Sequence, residues 1–168
     1  TGDGLEVNID IAPPRFAKLL QRRRNLAGRT GCGLCGAETV EGAIRQPPPV
    51  RGGLSVSLAA LHAALQELTA RQPLNERTGS VHAAAWVLPD EGIRIVREDV
   101  GRHNALDTLI GALIRSKADI ASGYVIISSR ASYEMVQKAA TVGVPLLVAI
   151  SAPTGLAVRL AEACGLTL

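Results

Sequence analysis

Two cysteines separated by two residues, in Gly31-Cys32-Gly33-Leu34-Cys35-Gly36, are the side chains of this sequence whose type and spacing most directly suggest chemistry. Two thiols at that separation can share a metal ion, close a disulfide or pass a sulfur atom, and the motif alone does not choose among the three. Thioredoxin-type redox chemistry wants the pair just after a strand, at a helix N-terminus inside a βαβ unit. Here the pair precedes any strong βαβ pattern, and its glycines give flexibility instead of a rigid turn. Zinc needs four ligands. No second cysteine pair is present, so His82 and His103 would have to complete a site, although they belong to different elements. Sulfur transfer needs one thiolate that attacks a donor persulfide, carries the outer sulfur and reaches an acceptor. A glycine-rich loop suits that role, and the nearby Arg29 is a cation of the kind that lowers a thiol pKa. Two small thiols among three glycines have little packing value, which argues against a purely structural turn. The third cysteine, Cys164, falls in an alanine-rich helical stretch and reads as a core residue.

The chain that must position this pair has 168 residues, about one domain and long enough to bury a substantial core. Aromatic residues are only 2% of it, so the core has to be built from Leu, Val, Ile and Ala, as in alanine-rich α/β proteins. The same scarcity removes the stacking platforms of nucleic-acid binding, and no nucleic-acid partner is expected. The net charge of +3 is already reached by Arg51, with eight Lys or Arg against five Asp or Glu in that first third. Arginine dominates the cations, which suits bidentate contact with phosphate or carboxylate; a G+C-rich genome gives the same bias with no function attached. No apolar stretch approaches the roughly 20 residues that span a bilayer. Thr1 to Asp10 is polar and acidic, unlike a secretory signal, so the protein is expected to be soluble and cytoplasmic.

Periodicity supplies the elements. Leu5-Glu6-Val7-Asn8-Ile9 reads as a strand, and Pro13-Pro14 precedes a helix from about Arg15 to Arg24 with Phe16, Leu19 and Leu20 on one face. Arg22-Arg23-Arg24 is then a solvated helix end, and Gln46 to Gly53 a break rich in proline and glycine. Leu58, Leu61, Leu65 and Leu68 predict a helix over Ser57 to Arg71, ended before Pro73. Val81 to Leu88 and Ile93 to Arg97 predict a hairpin about the turn Pro89-Asp90-Glu91-Gly92. Leu106, Leu109, Ile110, Leu113 and Ile114 form a stripe on a helix over Arg102 to Ser116. The unalternated apolar strands Tyr124 to Ser128 and Pro145 to Ile150 flank a helix over Ser132 to Thr141, and Ala157 to Cys164 closes the chain with another. Unalternated strands joined through a helix mean a sheet covered on both faces. The expected fold is a three-layer α/β/α domain with a mixed sheet, antiparallel early and parallel late.

Several stretches resemble one family, the FdhD formate dehydrogenase accessory sulfurtransferases. They are Arg29-Thr30-Gly31-Cys32-Gly33-Leu34-Cys35-Gly36, Thr78-Gly79-Ser80-Val81-His82-Ala83-Ala84, and Arg97-Glu98-Asp99-Val100-Gly101-Arg102-His103-Asn104-Ala105-Leu106-Asp107. Ser132-Tyr133-Glu134-Met135-Val136-Gln137-Lys138-Ala139-Ala140 and Ser151-Ala152-Pro153-Thr154-Gly155-Leu156-Ala157-Val158 follow in the family's order. The resemblance implies a cytidine deaminase-like fold, usually as a homodimer. It implies that Cys32 takes a persulfide sulfur from a cysteine desulfurase, with Cys35 as accessory thiol. The sulfur would pass to the molybdenum cofactor, in its bis-molybdopterin guanine dinucleotide form, before that cofactor enters formate dehydrogenase. The cofactor would be a bound substrate, with no permanently bound metal. The family normally extends further at both ends, so residues 1–29 are expected to be a shortened N-terminal segment and residues 30–168 the catalytic domain. Ser129 stands where the family usually has glycine before Arg130.

Within the matching blocks, Asp99, Arg102, His103, Asn104 and Asp107 are expected at a strand-to-helix junction, where helix amides favour anions. Arg102 and His103 could contact a phosphate or guanine of the cofactor. Equally, Asp99 or Asn104 could cap the helix and Asp107 complement its dipole. Arg130 and Ser132, at the next strand-to-helix turn, are the other cofactor-binding candidates, because crevices beyond parallel strand ends bind ligands. His82, inside an apolar strand, reads as a core or pocket-wall residue. Two other functions stay open: a zinc-dependent, deaminase-like hydrolase, which would lack the usual His-x-Glu because Ala83-Ala84 follows His82, and a non-catalytic chaperone that shields the cofactor.

Overall fold

The computed structural model describes residues 9–20 and 46–168. Cys32, Cys35, the Arg22-Arg23-Arg24 run and most of the strand expected over Leu5 to Ile9 lie outside the described residues. The chain divides into two compact units, Thr1–Ile44 and Arg45–Leu168. In the first, helix α1 (Pro13–Leu20) begins at the prolines themselves. Their missing N–H groups cost nothing in a first turn, where no partner would be available. Arg15 N and Phe16 N donate back to Ala12 O at 2.9 and 3.1 Å. Phe16 and Leu20 are each about half exposed.

In the second unit, Ser57 opens helix α2 (Leu58–Ala70): its side chain accepts from Ala60 N at 3.1 Å. Such a cap is worth about 1 kcal/mol. A short helix, α3 (Pro73–Thr78), follows. The hairpin β1 (His82–Leu88) and β2 (Gly92–Asp99) leads into α4 (Arg102–Arg115). After a 3-10 turn at Ile120–Ser122 come β3 (Tyr124–Arg130), α5 (Tyr133–Thr141), β4 (Leu147–Ser151) and α6 (Gly155–Cys164). Thr154 caps α6, and Gly165 ends it in the left-handed region at φ 74°, where a side chain would strain the turn.

The four strands form one sheet in the order β2-β1-β3-β4. β1 is antiparallel to both β2 and β3, and β3 is parallel to β4, the mixed pattern expected from the sequence. Strand alternation sorts the core into two layers. Ala83, Ala85, Val87, Tyr124 and Ile126 pack with Ala64 and Leu68 of α2 on one face. Ala84, Trp86, Val125 and Ile127 have the opposite parity and are buried, as are Ala105, Leu106, Leu109 and Leu113 of α4, which packs against β1 and β2. Two expected core positions are not in the core. Leu58 is 74% exposed, because it occupies the first helical position, and Ile114 is 57% exposed, at the edge of a stripe that turns one residue toward Ala105. Cys164 is buried as expected, its thiol 3.6 Å from Ala161 O.

This pairing gathers one set of chain ends. The start of β1 lies opposite the end of β2 (His82 beside Asp99) and, through the antiparallel β1–β3 pair, beside the end of β3. The parallel partner β4 ends there too, with Arg130 beside Ser151. α4, α5 and α6 each begin just beyond a strand end at that same side.

Two adjacent residues at the other end of β3 give opposed stability predictions. A Cβ on Gly123 would sit 2.5 Å from both Trp86 Cζ2 and the Val87 carbonyl oxygen, and the backbone atom cannot step aside. Gly123→Ala is expected to cost about 2–3 kcal/mol in denaturant unfolding. Tyr124 is fully buried and its hydroxyl has no hydrogen-bond partner among the described residues. Burial, with a smaller contribution from Glu67, pushes its pKa above 10.0. Tyr124→Phe removes an unsatisfied buried hydroxyl and is expected to leave stability unchanged or raise it by about 0.5–1 kcal/mol. The wild-type folded state binds the phenolic proton more tightly than the unfolded chain. Its stability is therefore whole below pH 10.0 and falls as pH rises further, and Tyr124→Phe should flatten that alkaline decline.

Candidate functional site

Each of the four described cofactor-binding candidates stands at the strand-end side of the sheet. Arg102 and His103 are the first two residues of α4, Arg130 is the last of β3, and Ser132 is the N-cap residue of α5. His82, the first residue of β1, is half-buried at the same side. Among the described residues, no group of three or more His, Cys, Asp or Glu side chains is placed to hold a metal ion.

The turn into α4 is built by Asp99. Its Oδ1 accepts from Gly101 N at 2.7 Å and from Asn104 Nδ2 at 3.1 Å. Gly101 is the N-cap residue, so neither Asp99 nor Asn104 caps the helix in the strict sense; together they clasp the turn. A Cβ on Gly101 would lie 3.2 Å from Asn104 Nδ2 and 3.4 Å from Asp99 Oδ1, which is why glycine fits inside the clasp. Asp107, expected to complement the helix dipole, makes an ion pair with Lys138 of α5 at 2.5 Å.

The turn into α5 is shaped by a bulge. Ile127 pairs with Ala149 and Arg130 with Ser151, so β3 carries one more residue than β4 between those points. Bulges of this kind re-aim side chains and end ladders. Ser128 Oγ accepts from Ala83 N at 2.8 Å, just past the last residue pair of the β1–β3 ladder. Ser129 is buried, its hydroxyl 3.3 Å from Arg130 O. Arg130 is exposed, and Thr154 N donates to Ala131 O at 2.9 Å, tying the start of α6 to the same turn.

Two atoms at this end lack what buried polar atoms ordinarily have. Arg102 Nε and Ser132 Oγ are buried with no hydrogen-bond partner among the described residues. Ser132 occupies an N-cap position yet makes no cap bond, whereas Ser57 and Thr154 do. Buried polar groups are nearly always satisfied, so each exception calls for an explanation, and a ligand or ion that completes the set is one. With the amide ends of two helices alongside, the arrangement suits an anion.

Sequence reasoning did not single out Glu134. Its Oε2 lies 3.2 Å from His103 Nε2, with the two side chains 14% and 20% exposed. The signal was present as an acidic residue in the first turn of a helix, but its partner is on another helix. A separate apolar groove of ≈ 480 Å³ runs along β4 and α6, lined by residues including Leu61, Leu146, Val148, Val158 and Leu166. None of Arg102, His103, Arg130 or Ser132 lines it, and its one charged side chain is Glu162, a poor match for an anionic ligand.

Comparison with known proteins bears on the fold and the family. A model of the FdhD/NarQ family matches residues 2–168. The sulfur carrier protein FdhD of Xanthomonas euvesicatoria pv. vesicatoria is 55% identical over 166 residues, covering 99% of this chain and 59% of the relative. Its counterpart in Cupriavidus necator is 54% identical over 165 residues, covering 98% and 57%. The chain thus spans under two thirds of the length of these curated relatives. Among solved structures, a protein from Desulfotalea psychrophila assigned as a formate dehydrogenase accessory protein superimposes with a TM-score of 0.67. The sequences are 26% identical there, over 73% of this chain and 52% of the other. A family model taking in all but the first residue and relatives more than half identical lead to one assignment: the chain belongs to the FdhD/NarQ family.

Proposed function

We propose that this chain carries sulfur in the maturation of a formate dehydrogenase, receiving it on Cys32 and handing it to a guanine-dinucleotide form of the molybdenum cofactor bound at the strand-end crevice. The observation that carries this reading is the convergence of Arg102, His103, Arg130 and Ser132, with two buried unsatisfied polar atoms, beside the amide ends of α4 and α5. Such a crevice offers cations and N–H donors, and the diphosphates of a dinucleotide need both. The relatives named as sulfur carriers, and a structural neighbour assigned to formate dehydrogenase, supply the cargo and the recipient.

The proposed chemistry balances through the two thiols. The Cys32 thiolate attacks the outer sulfur of a persulfide on a cysteine desulfurase; an S–S bond forms on Cys32 and the donor leaves as a thiolate. Attack of Cys35 on the inner sulfur of the Cys32 persulfide then releases the outer sulfur as hydrosulfide for the cofactor. The Cys32–Cys35 disulfide left behind has supplied the two electrons, and a dithiol reductant resets it. The remaining residues hold the acceptor: Arg102 and Arg130 by charge, His103 and Ser132 by polar contact. By family resemblance the working unit is a homodimer in the cytoplasm. Among the described residues, no helix is long and apolar enough to cross a membrane.

Two measurements test this. After incubation with a desulfurase and cysteine, intact-mass analysis is expected to show a lasting one-sulfur adduct on Cys35→Ala, which cannot release it, and none on Cys32→Ala; an adduct on Cys32→Ala equal to that on Cys35→Ala rejects the assigned carrier. In calorimetric titration with guanosine diphosphate, the nucleotide end of the cofactor, Arg102→Ala and Arg130→Ala are each expected to weaken binding by about 2 kcal/mol. Unchanged affinity in both rejects the crevice as the binding site.

A further inference from the structure

α4 and α5 touch through two cross-helix pairs, His103 with Glu134 and Asp107 with Lys138. The step from one pair to the next is four residues forward on both helices, so the helices run parallel with their N-termini together. Parallel neighbours put their positive poles side by side, which is unfavourable unless an anion stands between them. Glu134, in the first turn of α5, supplies that negative charge from within the protein. His103 sits in the first turn of α4, where a positive imidazole is disfavoured by its own helix and by Arg102 beside it. The other charged groups nearby are Asp99 at the end of β2, which is engaged by Gly101 N and Asn104, and the Asp107–Lys138 pair one turn further along. Glu134 is therefore the carboxylate adjacent to the His103 ring, 3.2 Å away and largely shielded from water.

We infer that Glu134 is a positioning residue for His103: it holds the imidazole at the mouth of the strand-end crevice by charge, so that the ring meets an anionic ligand already oriented. The inference rests on the reading of that crevice as a nucleotide site. Glu134 would repel a phosphate if it touched one, so its contribution has to pass through its partner. Removing one partner of a shielded ion pair is costly because the other charge is left uncompensated.

A double-mutant cycle tests it, read by calorimetric titration with guanosine diphosphate and by melting temperature on the full chain. His103→Ala and Glu134→Ala are each expected to weaken binding about tenfold, and the double variant no further than either alone, because residues acting as one unit are non-additive. Glu134→Gln keeps size and polarity without the charge. It serves if the alanine variant does not fold, and its His103 ring nitrogen resonances should shift from their wild-type positions. Wild-type affinity in both Glu134 variants beside a weakened His103→Ala overturns the inference, as do losses that multiply in the double variant. Wild-type affinity in His103→Ala while Arg102→Ala and Arg130→Ala bind weakly also overturns the inference and leaves the crevice reading standing; wild-type affinity in all three rejects the crevice itself.

Discussion

The parallel pairing of β3 with β4 is the constraint on which the site depends. An antiparallel partner would have carried the next turn to the far end of the sheet. Because β4 runs alongside β3, Val125 to Ile127 opposite Leu147 to Ala149, the chain must return through α5 and both strands finish at one side. A parallel crossover of this length needs a helix, and the helix arrives with its N–H groups at the strand ends. The antiparallel β1–β2 hairpin then adds His82 and Asp99 to the same side. Residues scattered from position 82 to position 132 are brought to one side by these pairings together.

Local details refine what the topology sets up. The extra residue in β3 between Ile127 and Arg130 turns Ser128 toward Ala83, which keeps β1 joined to β3 past the end of their ladder. The Asp99 clasp fixes the first turn of α4 without using a side-chain cap. At α5, Ser132 stands at the cap position without capping. Thr154, on the helix that carries no candidate residue, makes the ordinary cap bond. The two helices that begin beside the candidate residues thus lack the side-chain cap bond that α2 and α6 have.

Much of this was legible in the sequence where the information is local. Leu61, Leu65 and Leu68 announced α2, and the apolar runs at Tyr124 and Pro145 announced the parallel strands within two residues of their ends. What depends on distant partners was not. The short helix α3 was missed because its N-terminal amides are held by Glu98: Leu74 N and Asn75 N donate to it at 3.0 and 2.9 Å from 24 and 23 residues away. Glu134 lies within the stretch Ser132 to Ala140, where nothing local marks it, since its partner His103 belongs to another helix. Burial at the margins was misjudged at Leu58 and Ile114, where periodicity gives the face but not how far the neighbouring layer extends. Arg102, His103, Arg130 and Ser132 were placed correctly as strand-to-helix residues by pattern alone; that both turns open on one side required the strand pairing.

The central claim is that ligand binding happens where these turns meet. Amide hydrogen exchange, followed by mass spectrometry with and without guanosine diphosphate, addresses it most directly, since it reports where backbone is protected rather than which residue was altered. The account predicts slowed exchange confined to the starts of α4 and α5, residues 101–104 and 131–134. Protection that instead appears along the apolar groove between α2, β4 and α6, with those two turns unchanged, would contradict it.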